Sequence, residues 1–63
     1  MPIIQVQMLE GRTSDQKRAL VRELTDAFAR TCGGDGSTVR VVLRDVSPGD
    51  WAVGGELLSD RNA

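Results

Sequence analysis

The chain has 63 residues, a formal net charge of −1, no His and one Cys, which allows a single small domain spanning 1–63 and leaves no basic footprint for nucleic acid. Without His there is no His-based catalytic triad and no His-ligated metal, and one Cys makes neither an internal disulfide nor a zinc site. No apolar run approaches the roughly 18 residues of a membrane span, and two aromatics, Phe28 and Trp51, supply no base-stacking surface.

The segment Ile3 to Leu9 places Ile4, Val6 and Met8 on one face and Ile3, Gln5, Gln7 and Leu9 on the other, the period-two pattern of a strand. Met1 to Gln5 lacks the charged and continuous apolar regions of a signal peptide, so the expected location is the cytoplasm, where a lone thiol stays reduced. Gly11 breaks the strand. Thr13 followed by Gln16 matches a capping box, with Asp15 suited to the positive end of a helix dipole. Leu20, Leu24, Ala27, Phe28 and Thr31 recur at helical spacing, with Val21 and Cys32 widening the stripe, and predict an amphipathic helix that Gly33 or Gly34 ends. Cys32 is expected to pack. Thr38 to Asp45 reads as a second strand, with Val39, Val41 and Leu43 facing the helix and Thr38, Arg40, Val42 and Arg44 facing away. Ser47 to Asp50 is a turn cluster, Trp51 to Leu58 is expected to form a short hairpin at Gly54–Gly55, and Ser59 to Ala63 to fray.

Strand, helix and strand with short connections make an α/β fold built on one βαβ unit with parallel strands, followed by a short C-terminal hairpin. Such a unit leaves one sheet face and both sheet edges open. A chain this short buries little surface on folding, and with disulfide and metal support excluded, self-association is the expected remedy.

Pro2 is the chemically unusual residue. A small residue after the initiator Met favours removal of that Met, which would leave a free secondary amine able to act as a base; read alone, Pro2 is otherwise a strand-edge proline. Arg12 lies just past the first strand and Arg40 interrupts an apolar one. Guanidinium groups bind carboxylates through paired hydrogen bonds, although each arginine alone also fits a solvated surface charge. Trp51 suits packing or a low-dielectric wall. The aspartates at 15, 26, 35, 45, 50 and 60 read as scattered solvated charges, and Gly54–Gly55 is no phosphate loop because no Lys-Ser/Thr follows it.

Together these segments carry a resemblance. Pro-Ile-Ile-Gln-Val-Gln-Met-Leu-Glu-Gly-Arg from Pro2 to Arg12, Ser-Thr-Val-Arg-Val-Val-Leu from Ser37, and Trp-Ala-Val-Gly-Gly-Glu-Leu from Trp51 resemble the 4-oxalocrotonate tautomerases, without an apparent gap from residue 2 to about residue 58. The resemblance implies a cofactor-free isomerase acting on a small-molecule carboxylate such as 2-hydroxymuconate. It also implies a homo-oligomeric hexamer, a trimer of dimers, whose sites are shared between chains. By the same resemblance Pro2 is general base and then acid, Arg40 holds the 2-oxo or 2-hydroxy carboxylate end, Arg12 binds a distal carboxylate, and Trp51 stands where the family usually has phenylalanine. Dehalogenating relatives that add water use an arginine and a glutamate at positions that match Leu9 and Val53 here, which disfavours hydration; Leu9 is left as an apolar substrate contact. A free α-amine titrates near about 8, and neighbouring arginines and an apolar wall would lower that value so that the base is unprotonated at neutral pH. The alternatives are a tailoring enzyme of secondary metabolism on another enol or pyrroline substrate, and a non-catalytic oligomeric binding module.

Overall fold

Two alternating segments and one amphipathic segment generate the body of the protein. The computed structural model describes residues 2–61, with β1 (Ile3–Leu9), α1 (Ser14–Cys32) and β2 (Arg40–Val46), then a 3-10 turn (Pro48–Asp50), β3 (Ala52–Val53), β4 (Glu56–Leu57) and α2 (Leu58–Arg61). β1 and β2 pair in parallel, with Ile3 opposite Arg40 and Leu9 opposite Val46. Ile4, Val6, Met8, Val41 and Leu43 are half-buried on the helix side of this sheet, matched by half-buried Leu20, Leu24, Ala27 and Phe28 on α1. The opposite face is exposed from Ile3 to Gln7 and from Arg40 to Arg44, with Ile3 at 62% and Val42 at 45%, and half-buried at its Leu9–Val46 end.

The helix begins where the sequence signals it. The Thr13 hydroxyl accepts from the Gln16 N–H at 3.1 Å, and the Gln16 side chain accepts from the Thr13 N–H at 2.9 Å. It ends at Gly33, whose φ of 92° is open to glycine and whose N–H reaches the Ala29 carbonyl at 3.0 Å. Contrary to the sequence reading, Thr31 and Cys32 are exposed. Nineteen helical residues run about 28 Å, whereas a seven-residue strand runs about 23 Å, so the last turn overhangs the sheet. There the Thr31 hydroxyl donates back to the Ala27 carbonyl at 2.7 Å.

The second strand starts at Arg40 rather than Thr38 because a turn occupies the residues before it. Asp35 accepts from the Ser37 N–H at 3.0 Å and hydroxyl at 2.7 Å, and the Val39 N–H reaches the Gly36 carbonyl at 3.1 Å. The Ser37 backbone hydrogen bond, then its hydroxyl, hold the Asp35 carboxyl below its ordinary range. This contribution is therefore present above the ordinary carboxylate pKa and is lost as pH falls through the lowered one. Asp45, expected to be a solvated charge, turns to the helix side and pairs with Lys17 at 2.6 Å. At roughly one-third exposure of both partners, such a pair contributes about 1 kcal/mol or less.

After β2 the chain leaves as an arm. Val53 and Glu56 pair across Gly54–Gly55 to give the expected hairpin. The terminal segment, expected to fray, instead forms the single turn Leu58–Arg61, held by the Leu58 N–H to the Trp51 carbonyl at 2.9 Å and by Arg61 to Glu56 at 2.7 Å. Asn62 and Ala63 lie outside the described residues. The arm packs chiefly on itself and on the 3-10 turn, drawing the protomer out to 46 × 24 × 15 Å with a radius of gyration of 15.0 Å, against about 11 Å for a compact chain of this length.

No side chain among the described residues is fully buried. The exposed surface is 4736 Å², where a compact monomer of this mass exposes roughly 4,000 Å². Apolar area left in water contributes nothing to folding, so the open sheet face and the arm require cover from further copies. Sedimentation velocity at micromolar concentration is expected to give a species several times the monomer mass, and a stable, folded monomer would contradict this account.

Candidate active site

The parallel register decides which candidate residues meet. Pro2 precedes β1 directly and its carbonyl accepts from the Arg40 N–H at 2.9 Å, so the half-buried imino acid and the first residue of β2 lie side by side. Arg40 is exposed, on the side of the sheet away from the helix, and its guanidinium makes one long hydrogen bond, to the Thr38 carbonyl at 3.3 Å. Leu9 stands at the other end of β1, where the Glu10 N–H to the Val46 carbonyl at 2.9 Å closes the ladder. Arg12 follows it, exposed, its guanidinium donating to the Leu9 carbonyl at 3.3 Å.

Six strand steps separate Ile3 from Leu9, about 20 Å at the usual rise, which is farther than an arginine side chain reaches. Within one protomer, then, Pro2 and Arg40 occupy one end of the sheet and Leu9 and Arg12 the other. Half-buried Trp51 opens the arm that departs from the second end. The fold thus brings the candidates together in two pairs, Pro2 with Arg40 and Leu9 with Arg12, and holds the two pairs apart.

Electrostatically, both arginines are available. The ion pairs among the described residues are Lys17–Asp45, Arg18–Asp15 and Arg61–Glu56, none of which engages Arg12 or Arg40. No group of three or more His, Cys, Asp or Glu among the described residues is placed to hold a metal ion, and no helix among them is long and apolar enough to cross a membrane. Leu9 is half-buried, and Val53, 48% exposed, sits in the hairpin; neither side chain can orient or activate water. Two surface depressions are lined by other residues. One of about 390 Å³ runs along α1 beside Arg18, Val21, Arg22, Thr25 and Asp26. The other, of about 170 Å³, lies between Gln5, Gln7, Val42 and Arg44. The sequence reading singled out none of the latter four, though the alternation that exposed Arg40 exposes Arg44 as well.

A βαβ protomer with parallel strands, an imino acid just before the first of them and a hairpin arm after the second defines a class of small α/β proteins. The model of the tautomerase enzymes matches residues 2–61, and the chain belongs to that family, whose members are isomerases. It is 41% identical over 59 residues to a 2-hydroxymuconate tautomerase of Pseudomonas putida, covering 94% of each chain. Its fold matches TomN, a 4-oxalocrotonate tautomerase homologue of the tomaymycin biosynthetic pathway, with a TM-score of 0.92 at 38% identity, over 97% of this chain and 94% of that one. It likewise matches a heterohexameric 4-oxalocrotonate tautomerase of Chloroflexus aurantiacus, with a TM-score of 0.88 at 35% identity, over 95% and 97% of the two chains.

The arm that carries Trp51 depends on its two-residue loop. Gly54 and Gly55 have φ of 62° and 86°, and positive values at both positions are those of a type I′ turn, for which Asn-Gly serves as well as Gly-Gly. Gly54→Asn should therefore leave stability unchanged, while Gly55→Val should cost about 1–2 kcal/mol from backbone strain alone, since a side chain there meets nothing within 4 Å. Urea unfolding followed by fluorescence of the only Trp measures both.

Proposed function

We propose that this chain tautomerises an unsaturated 2-hydroxy or 2-oxo acid, with 2-hydroxymuconate as the trial substrate, and that the Pro2 nitrogen is its base and then its acid. Residues 1–63 act as one tautomerase domain, in the cytoplasm. Met1 lies outside the described residues; its removal frees the Pro2 amine. The observation that carries the reading is the 2.9 Å hydrogen bond from the Arg40 N–H to the Pro2 carbonyl, because it puts the imino acid and an arginine without an ion-pair partner among the described residues on neighbouring strands at one end of the sheet. The likeness to a 2-hydroxymuconate tautomerase supports the substrate.

On a 2-hydroxy-2,4-dienoate the Pro2 nitrogen takes the 2-hydroxyl proton. The freed O–H pair becomes the carbonyl π bond, the C2=C3 pair moves to C3=C4, and the C4=C5 pair takes the proton back from the prolinium at C5. One proton leaves oxygen and one arrives at carbon, so no cofactor enters the balance. Positioned proton transfer supplies roughly 10²–10⁴ in rate. Arg40 stabilises the negative charge that grows on the 2-oxygen, the larger electrostatic contribution. Arg12 holds the distal carboxylate and fixes the chain of the substrate. Trp51 and Leu9 form an apolar wall that, with the two cations, disfavours the ammonium form of Pro2.

Because Pro2 and Arg12 lie beyond opposite ends of β1, whose first and last residues are about 20 Å apart, the site closes only between copies, and assembly as a trimer of dimers brings the two ends into register. The likeness to the heterohexameric tautomerase supports this arrangement. Degradation of aromatic compounds is the natural setting for such a substrate. The likeness to TomN supports a second reading, in which Trp51 shapes the pocket for an enol or pyrroline intermediate of secondary metabolism and the proton chemistry is unchanged.

Arg40→Ala should lower kcat on 2-hydroxymuconate by about 10²-fold, whereas Arg12→Ala should raise KM about tenfold for diacids and leave monoacids such as phenylenolpyruvate little affected. Equal, small effects from both substitutions would reduce them to surface charges. Intact mass of the active protein should lack Met1; full turnover by a species that retains it would remove Pro2 from the chemistry. Arg12→Ala and Pro2→Ala chains, unfolded and refolded together, should form some sites with the unmutated KM for 2-hydroxymuconate, which neither chain shows alone, as expected when the two residues of one site belong to different copies.

A further inference from the structure

The sheet face away from α1 carries a second group of polar side chains that the tautomerase reading does not use. Along it the register sets Ile3 beside Arg40, Gln5 beside Val42, and Gln7 beside Arg44. Gln5, Gln7, Val42 and Arg44 border the depression of about 170 Å³. All four are exposed. The Arg44 guanidinium and the Gln5 and Gln7 amides have no hydrogen-bond or ion-pair partner among the described residues.

The face also lacks any carboxylate. Its residues are Ile3, Gln5, Gln7 and Leu9 on β1 and Arg40, Val42, Arg44 and Val46 on β2. The nearest acid in sequence, Asp45, points to the helix side and is held by Lys17 at 2.6 Å. A guanidinium offers five donors in a planar fork suited to two oxygens of one oxyanion, and each flanking amide can turn an NH₂ group toward the same point. Where two copies meet by this same face, their arginines come together with no carboxylate between them, a repulsion that an anion relieves.

We propose that the outer face of the sheet carries an oxyanion site, in which Arg44 binds a phosphate or carboxylate group and Gln5 and Gln7 complete its shell. This site is separate from Arg40, which lies four residues and about 13 Å along the same strand, with Val42 between them. It does not depend on the role proposed for Pro2.

Isothermal titration of the whole protein with inorganic phosphate at fixed ionic strength, with succinate in a parallel arm and chloride as blank, tests the proposal. Saturable binding is expected in at least one arm, and the preferred arm tells a tetrahedral phosphate from a carboxylate. Binding should persist in Arg12→Ala/Arg40→Ala and in Arg22→Gln on the helix surface, but weaken about tenfold or more in Arg44→Gln. Gln7→Leu should weaken it in a chain that keeps every arginine, which covers the case in which Arg44→Gln does not fold. No saturable binding in either arm overturns the proposal. So does binding that is lost in Arg12→Ala/Arg40→Ala and kept in Arg44→Gln, which would assign the anion to the proposed catalytic site.

Discussion

The register of two parallel strands governs nearly everything else in this molecule. With Ile3 opposite Arg40 and the Arg40 N–H on the Pro2 carbonyl, the residue before β1 is fixed against the first residue of β2. Parallel pairing obliges the connection to cross over, so α1 covers one face and the other stays open. A shift of one residue would turn Arg40 and Arg44 toward the helix and expose Val41 and Leu43. The apolar face thus holds the cations outward, and the same hydrophobic burial that forms the fold places its chemistry.

That burial is thin. One helix on two strands gives a layer in which Ile4, Val6, Met8, Val41 and Leu43 are only half-covered, and the arm adds a hairpin that packs mainly on itself. Stability must come from contacts the protomer cannot supply. Under the proposed reading the same contacts close the site, because the two ends of β1 are farther apart than a substrate of six carbons can bridge. Folding, assembly and catalysis then share one set of interfaces, and a substitution at any of them affects all three.

Much of this was legible in the sequence because the signals were local. Alternation gave β1, the Thr13–Gln16 capping box gave the start of α1, and Gly54–Gly55 gave the hairpin turn. The misreadings had non-local causes. Thr31 and Cys32 continued the helical stripe in sequence but outran the sheet in space, a mismatch of lengths that periodicity does not carry. Thr38 continued the alternation, yet Asp35 and Ser37 bent the backbone first. Asp45 looked solvated because its partner, Lys17, is 28 residues away in sequence. Of the five site candidates, Pro2, Arg12, Arg40 and Trp51 stood out as residues and Leu9 through the resemblance alone; the register set Pro2 beside Arg40 and left Leu9 with Arg12 at the far end. The separation of Arg12 follows from strand length, which becomes an argument only once the strands are known to be parallel.

The two cations of β2 raise a question of coupling, since an anion near one could alter the base near the other. Arg44 and Arg40 are about 13 Å apart, and both are exposed. At physiological salt the Debye length is about 8 Å, so exposed charges at that separation are largely screened from each other. Arg40, whose N–H reaches the Pro2 carbonyl, is the nearer of the two cations to the proposed base, and neutralising Arg44 is expected to change the field there little. Under the proposed oxyanion site, what Arg44 bears on is the cost of covering the open face wherever copies meet by it, since that face has no carboxylate. On that proposal an oxyanion there acts on assembly rather than on proton transfer, and one strand can carry both functions because four residues, with Val42 between, separate Arg40 from Arg44.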